Sequence, residues 1–407
     1  MCSKDSNRNH RLIRSAAAVL LILISCSFVA RLLAQFMQSP NELNGIGFTD
    51  AIEYWSAFKI WQAGGNPYDD QSMLQFQSKI RPSQYAIMMW NPPWLLPLFS
   101  PLFSISSYLA FARVWAATST LAYIIGNYCL LSCFAPRHLK NAILWVVLFS
   151  FAPFLFTLSF GQVSCWLFLG ASLTLVGIQR GKVIVLALGS VLLSLKPHLF
   201  IVFIACTTVL FVTRKNWRLL LALYVPPIMA AGVTDFISTP HITTAWLNTI
   251  LGRTPPILTP QPQRWITTTI PSVLCQWLSI TDLEIEYYIG FVSLALTLVI
   301  SLWLLYRYRV QYALAYVLLV SLPLGPFGWL YDYTVVVSSI VILWPQISKN
   351  EERLNSFLCG CLILVTSCTL LVDRLDHALL PLLLVISILI GSTVGDEGVR
   401  KPSGCIS

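Results

Sequence analysis

Long apolar runs alternate with short basic clusters along the whole chain, a pattern that predicts a bundle of membrane-crossing helices. The runs last roughly 15 to 27 residues, against about 20 for one crossing of a bilayer. Lys and Arg gather at Arg137 to Lys140, Arg180 to Lys182, Arg214 to Arg218, Arg307 to Arg309 and Lys349 to Arg353. Short basic turns of this kind face the cytoplasm. Between consecutive clusters the chain must cross and return, so the stretches between them are predicted hairpins. Leu144 to Leu158 and Gln162 to Ile178 make one, with its vertex at Phe160-Gly161-Gln162. Val183 to Leu195 and Leu199 to Val212 make the next, turning at Lys196-Pro197-His198. Leu219 to Phe236 climbs outward and Tyr287 to Tyr306 returns. Ala313 to Leu330, Thr334 to Trp344, Phe357 to Val372 and Leu379 to Ile390 complete the series.

The first run, Ala16 to Phe36, follows Lys4, Arg8, Arg11 and Arg14, which puts the N-terminus in the cytoplasm. Arg31 and Gln35 follow it without a small-residue cleavage site, so it is read as a span rather than a signal peptide. Residues 88–134 must begin outside and end inside. We expect one full span there, about Val114 to Cys133, preceded by a partly inserted, Pro-broken segment around Trp90 to Phe103. The fold class is therefore an all-α polytopic membrane protein of about 12 spans in one domain over residues 1–407, both termini cytoplasmic.

Composition agrees with this reading. Of 407 residues, 56% are apolar and 11% charged, the mean hydropathy is +0.72, and a soluble domain carries about 25% charged residues. The net charge of +9 lies in short loops; it orients the chain in a membrane and gives no support to nucleic-acid binding. The eleven cysteines show no paired or metal-type spacing. Those inside apolar runs (Cys26, Cys129, Cys165 and Cys206) read as small buried hydrophobes. Cys405 is third from the end, where a prenylation box needs the fourth. No metal or other cofactor is expected.

Two outer loops, about residues 38–85 and 238–286, are too long to be simple connectors. In the first, Asp50 to Trp61 reads as a short helix whose Trp55, Phe58 and Trp61 suit a membrane interface. Gly64-Gly65 ends it and Asn66-Pro67-Tyr68-Asp69 turns the chain. Asp50 either caps this helix, with Glu53 completing a capping box, or serves as an outward-facing general base. The two roles are compatible.

Asp50 through Tyr54, then Ala57, then Gly64 to Asp69 resembles the opening signature of glycosyltransferase family 87. Asn91-Pro92-Pro93 with Pro101-Leu102 is similar to that family's Tyr-Pro-Pro…Pro-Leu stretch, with Asn91 in place of tyrosine. Gly161-Gln162-Val163, Arg180-Gly181-Lys182 and Lys196-Pro197 follow in the family's order. The resemblance is good over Asp50 to Arg218 and weak beyond. It implies a GT-C-type membrane enzyme, a hexosyltransferase using a polyprenyl-phosphate sugar, with mannose the family's best-known donor sugar; direct displacement at the anomeric carbon would make the transfer inverting. It also implies that Asp50 is the catalytic base. Tyr54, Asn66 and Tyr68 lie inside the signature and are substrate-binding candidates.

Arg180 to Lys182 and Arg214 to Lys215 are so close that each intervening arm is roughly 15 residues, or about 22 Å. That is short of a hydrocarbon core about 30 Å thick. Lys196 should therefore sit below the outer surface, where a lysine is costly unless it meets an anion or a wet cavity. It either binds a lipid phosphate or snorkels to headgroups. His198 is a polar helix-end residue or a ligand; Gln162 bonds a sugar hydroxyl or satisfies backbone at a helix break. Late in the chain the family often carries Ser-Pro-x-x-Trp and a histidine pair. Here Pro326 and Trp329 are followed by Tyr331-Asp332, a departure that touches donor or acceptor preference. Asp332 is a site candidate or the partner of a loop arginine.

The second loop supplies Arg253, Arg264, Trp246 and Trp265; Arg264 meets phosphate or sugar, or only solvent. Asp373, Arg374, Asp376 and His377 read as a solvated outer turn. The expected partners are a polyprenyl-phosphate-linked donor, a lipid or glycan acceptor and membrane lipids, at the outer face of a bacterial cytoplasmic membrane. A transporter or flippase of an amphiphilic anion is the rival reading. Against it stand the missing internal repeat and the asymmetric acidic loop. A polymerase or ligase of lipid-linked glycans is a third, in which arginines dominate the outer loops.

Overall fold

The computed structural model describes residues 2–37, 50–80, 85–238, 242–251, 267–280, 283–325, 328–370 and 378–391. They are helical almost throughout, as backbone in hydrocarbon must be if its polar groups are to be satisfied within each segment. In order they form α1 (Cys2–Met37), α2 (Ala51–Gln62), α3 (Asp70–Gln77), α4 (Leu95–Leu98), α5 (Ser100–Phe103), α6 (Tyr108–Phe134), α7 (Ala142–Ser150) and α8 (Ala152–Phe160). Then come α9 (Ser164–Arg180), α10 (Val183–Leu193), α11 (Pro197–Thr213), α12 (Trp217–Ile237), α13 (Ile242–Ile250) and α14 (Ile270–Trp277). The last are α15 (Leu283–Arg307), α16 (Val310–Ser321), a 3₁₀ helix (Leu330–Val336), α17 (Val337–Ile347), α18 (Glu351–Leu370) and α19 (Leu379–Gly391).

Six described helices are long and apolar enough to cross a membrane alone, and seven if the bent pair α7–α8 is one span. Shorter apolar helices, α10, α11, α16 and α19, lie among them. A count of 12 requires the short helices and α9 to cross as well, which length alone does not establish. Large apolar side chains face outward along α1 (Leu20, Leu23), α12 (Ile228, Phe236) and α15 (Phe291, Val299), where a soluble protein would present charge.

Three local features differ from the sequence expectation. The run expected as one span from Leu144 to Leu158 breaks at Phe151 and bends by 46°. Pro153 stands in the first turn of α8, where its missing N–H and fixed φ suit a helix start and not a helix interior. Helix α2 is not an interfacial helix with one wet face. Ala51 through Phe58 are all buried, and Trp55 Nε1–H and Trp61 Nε1–H donate to Ile105 O and Ser238 Oγ inside the protein. The cysteines divide: Cys165 and Cys206 are buried, whereas Cys129 is half-buried and Cys26 exposed on α1.

Helices α9 and α10 form the tightest hairpin. A Cβ placed on Gly177 would lie 2.7 Å from Leu186 N, and one on Gly170 2.8 Å from Leu192 Cβ. Small residues let helix backbones approach this closely where no hydrophobic effect drives association. The hairpin fixes where α10 ends, and hence where Lys196 stands.

Candidate functional site

The site is assembled from four chain breaks that meet. The first is the start of α2. Asp50 has helical backbone (φ −90, ψ −22), and its carboxylate makes no cap hydrogen bond. No capping box forms, since the Asp50 N–H donates to Phe160 O at 3.0 Å and not to Glu53. That bond pins α2 to the second break, the turn after α8. There Gly161 takes the left-handed conformation (φ +72), which glycine adopts without Cβ strain. Trp115 Nε1–H donates to Gly161 O at 2.8 Å. The turn aims Gln162 inward, 4% exposed.

The third break is Lys196, between α10 and α11. Pro197 occupies the first helical position, which suits its fixed φ and missing N–H. It also keeps the preceding residue out of the helical region, and Lys196 adopts φ −140, ψ 72. Lys196 is 4% exposed, so it does not snorkel to headgroups. The fourth break is the turn into the 3₁₀ helix that carries Trp329, Tyr331 and Asp332.

One hydrogen-bonded network joins the four. Gln162 Nε2–H donates to Asp50 Oδ2 at 2.6 Å, while Gln162 Oε1 accepts from Tyr54 Oη–H at 2.8 Å and from Lys196 Nζ at 3.3 Å. Lys196 Nζ also donates to Asp332 Oδ1 at 2.9 Å, which accepts in addition from Ser164 Oγ–H at 3.0 Å. Asp332 Oδ2 accepts the Trp329 N–H at 3.2 Å. The Lys196 ammonium lies 5.1 Å from the Trp329 ring centre and 4.9 Å from that of Tyr331, within range of a cation–π attraction. Among the described residues, the cation paired with Asp332 is thus Lys196.

The other candidates fall outside this network. Tyr68 Oη–H donates to Asn91 O, and Asn91 Nδ2–H donates to Leu195 O at 2.9 Å, so the first-loop turn is tied to the residue before Lys196. Asn66 Oδ1 accepts the Tyr68 N–H at 3.0 Å, closing its own turn. His198 lines a cleft with Leu199, Val202, Leu294, Ser321 and Leu322. Arg264, Arg253, Trp265, Pro326 and the turn containing Asp373, Arg374, Asp376 and His377 lie outside the described residues. Trp246 is buried and donates Nε1–H to Trp90 O at 3.1 Å.

Sequence reading passed over three residues of the site. Ser164 sits two positions beyond Gln162 but carries no distinctive spacing. Tyr331 shows in the sequence only as a departure from the family's histidine pair. Glu53 reads in the sequence as the second half of a capping box; its side chain is 5% exposed. Burial, and after it the Asp50 charge, raise its carboxyl well above the usual glutamate range, against the opposing pull of Tyr54 and Lys196. Chemically, the site offers an acid, an amide bridge and a lysine in sequence, bordered by aromatic rings. Among the described residues no group of three His, Cys, Asp or Glu side chains is placed to hold a metal ion.

Comparison with known proteins adds the following. The model of Glycosyltransferase family 87 matches residues 90–339, well over half of the chain. That stretch contains Gln162, Lys196, Trp329 and Asp332, and it runs beyond Arg218, where the sequence resemblance weakened; Asp50 and Glu53 precede it. No curated protein matches the chain. Among solved structures, the chain is similar to ArnT from Cupriavidus metallidurans bound to undecaprenyl phosphate, at 15% identity and a TM-score of 0.40, over 91% of this chain and 77% of that one. The apo state of the same protein gives 13% identity and a TM-score of 0.35, with the same coverage.

Proposed function

The chain belongs to glycosyltransferase family 87, and from that premise we propose that this membrane glycosyltransferase moves a hexose, mannose as the first choice, from a polyprenyl-phosphate carrier to a lipid or glycan acceptor. The reaction takes place at the outer face of a bacterial cytoplasmic membrane, with both termini inside; the basic turns support that orientation. Family membership sets aside the transporter reading.

In the proposed reaction the acceptor hydroxyl oxygen attacks the anomeric carbon, and its proton passes to the Asp50 carboxylate acting as general base. The bond from that carbon to the phosphate oxygen breaks, and the electron pair leaves with the polyprenyl phosphate. A single displacement inverts the anomeric centre. The departing phosphate needs no proton where fixed cations receive its charge. Lys196 has that role, and Arg264 is the second cation proposed for it. Asp332 holds Lys196 at 2.9 Å, so an arriving phosphate competes with Asp332 for the ammonium. Trp329 offers a ring face to the sugar. Asn66, Tyr68 and His198 are proposed at the margins of the substrate path.

The observation that carries this reading is the Gln162 amide, which touches the proposed base at its donor end and the proposed phosphate-binding cation at its acceptor end. A base and a cation one side chain apart suit a reaction in which the acceptor hydroxyl gives up its proton on one side of the anomeric carbon while the phosphate leaves from the other.

The test is transfer of labelled hexose from polyprenyl-phosphate hexose by the purified protein in lipid nanodiscs. Transfer by wild type and its loss in Asp50→Asn support the reading. Undiminished transfer by Asp50→Asn removes Asp50 from the mechanism. A mass spectrum of lipid-linked sugars and surface glycans from cells lacking the chain would identify sugar and acceptor.

A further inference from the structure

Glu53 lies one helical turn beyond Asp50 on the same face of α2, and residues three apart on a helix have Cβ atoms about 5 to 6 Å apart. A buried carboxylate is normally paired with a cation. The cation facing Glu53 is Lys196, already engaged by Asp332 at 2.9 Å and by Gln162 at 3.3 Å. The titratable groups around Glu53, itself 5% exposed, are Asp50 before α2, Tyr54 on α2, Lys196 just before α11 and Tyr331 on the 3₁₀ helix. Were Glu53 ionised, it would join Asp50 and Asp332 as a third carboxylate around this one lysine, and a donor phosphate would bring still more negative charge.

From this placement we propose that Glu53 carries the resident proton of the site, so that Asp50 and Glu53 work as a pair with a single negative charge. Glu53 is then a positioning residue that keeps the surroundings of the base open to an anionic donor. The inference rests on Asp50 being the base. The raised affinity of the Glu53 carboxyl for its proton agrees with it. A sugar phosphodiester has no proton to lose above neutral pH, so an alkaline weakening of donor binding must come from the protein.

The experiment measures KM for a polyprenyl-phosphate hexose against pH, from neutral to alkaline, in wild type and in Glu53→Gln, which keeps the shape and removes the proton. The wild-type KM is expected to rise, by at most about tenfold per pH unit as one proton is lost, while the rise is absent in Glu53→Gln. A flat wild-type KM, or a rise that persists in the variant and so belongs to Lys196 or a tyrosine, overturns the proposal. A folded Glu53→Gln that loses more than about a hundredfold of its transfer at every pH also overturns it, since a charged carboxylate would then be required.

Infrared spectroscopy of wild type with carbon-13-labelled glutamate covers the case in which Glu53→Gln does not fold. A protonated glutamate carbonyl band at neutral pH is expected, and its absence overturns the proposal. This second measurement needs no turnover, so it still decides the state of Glu53 if the transferase reading itself fails.

Discussion

Lys196 Nζ lies 2.9 Å from Asp332 Oδ1, and the two side chains are 5% and 0% exposed. Buried ion pairs add little net stability over well-packed apolar residues, but removing one partner strands the other charge. Asp332→Asn should therefore lower the stability of the purified protein by about 3 to 5 kcal/mol in denaturant or thermal unfolding. The double variant Lys196→Met/Asp332→Leu should recover most of that loss while transfer stays abolished. Recovery of transfer in the double variant would remove Lys196 from the mechanism.

Asp50→Asn should lower the rate of transfer by about 10² to 10⁴, the range for loss of a general base, with an unchanged melting temperature. The stability holds because an asparagine oxygen can still accept the Gln162 Nε2–H that now reaches Asp50 Oδ2. A parallel fall in melting temperature would point to a structural role for the charge.

Gln162→Leu removes the acceptor shared by Tyr54 and Lys196. Each buried donor left without a partner costs about 1 to 3 kcal/mol, so this variant should unfold more readily than Asp50→Asn and also lose transfer. Side-by-side melting curves of the two variants check the order.

Gly177→Ala should destabilise the α9–α10 hairpin by about 1 to 3 kcal/mol, because the added methyl meets Leu186 backbone and not a side chain that can turn away. Alanine at Gly181 adds no contact, since nothing lies within 4 Å of its Cβ position, but it must hold φ at +62. Unfolding of the two variants in parallel separates crowding from backbone conformation.

The state of Glu53 also predicts how stability varies with pH. In the unfolded chain its carboxyl loses the proton near pH 4.3, the ordinary glutamate value, while the folded protein retains it to a higher pH. Between those limits the folded state binds the extra proton, so its stability must fall as pH rises. Glu53→Gln should flatten that decline in thermal unfolding curves taken from mildly acid to alkaline pH. An identical decline in wild type and variant would contradict a protonated Glu53.

Much of this was legible in the chain because each signal was local or arithmetical. The basic clusters gave the turns, and the short arms on either side of Lys196 pointed to a lysine that needs an anionic partner; it is 4% exposed and meets Asp332. The contact between Lys196 and Asp332 spans 136 positions, and nothing in either neighbourhood names the other. The burial of α2 was missed for a related reason. Aromatic residues three apart (Trp55, Phe58 and Trp61) describe an interfacial helix and a helix enclosed by α3, α5 and α6 equally well, and only the tertiary packing separates the two. Glu53 was misread because Asp and Glu three apart form a familiar cap, whereas here the Asp50 N–H goes instead to Phe160 O.

The chain of bonds from Tyr68 through Asn91 to Leu195 works as a strut between the acidic loop and the lysine turn. If Asp50 and Lys196 act as proposed, that strut ties the spacing between them to the packing of the first loop. Cutting it, as Tyr68→Phe does, would then be felt first as a change in which reactants fit between the two groups.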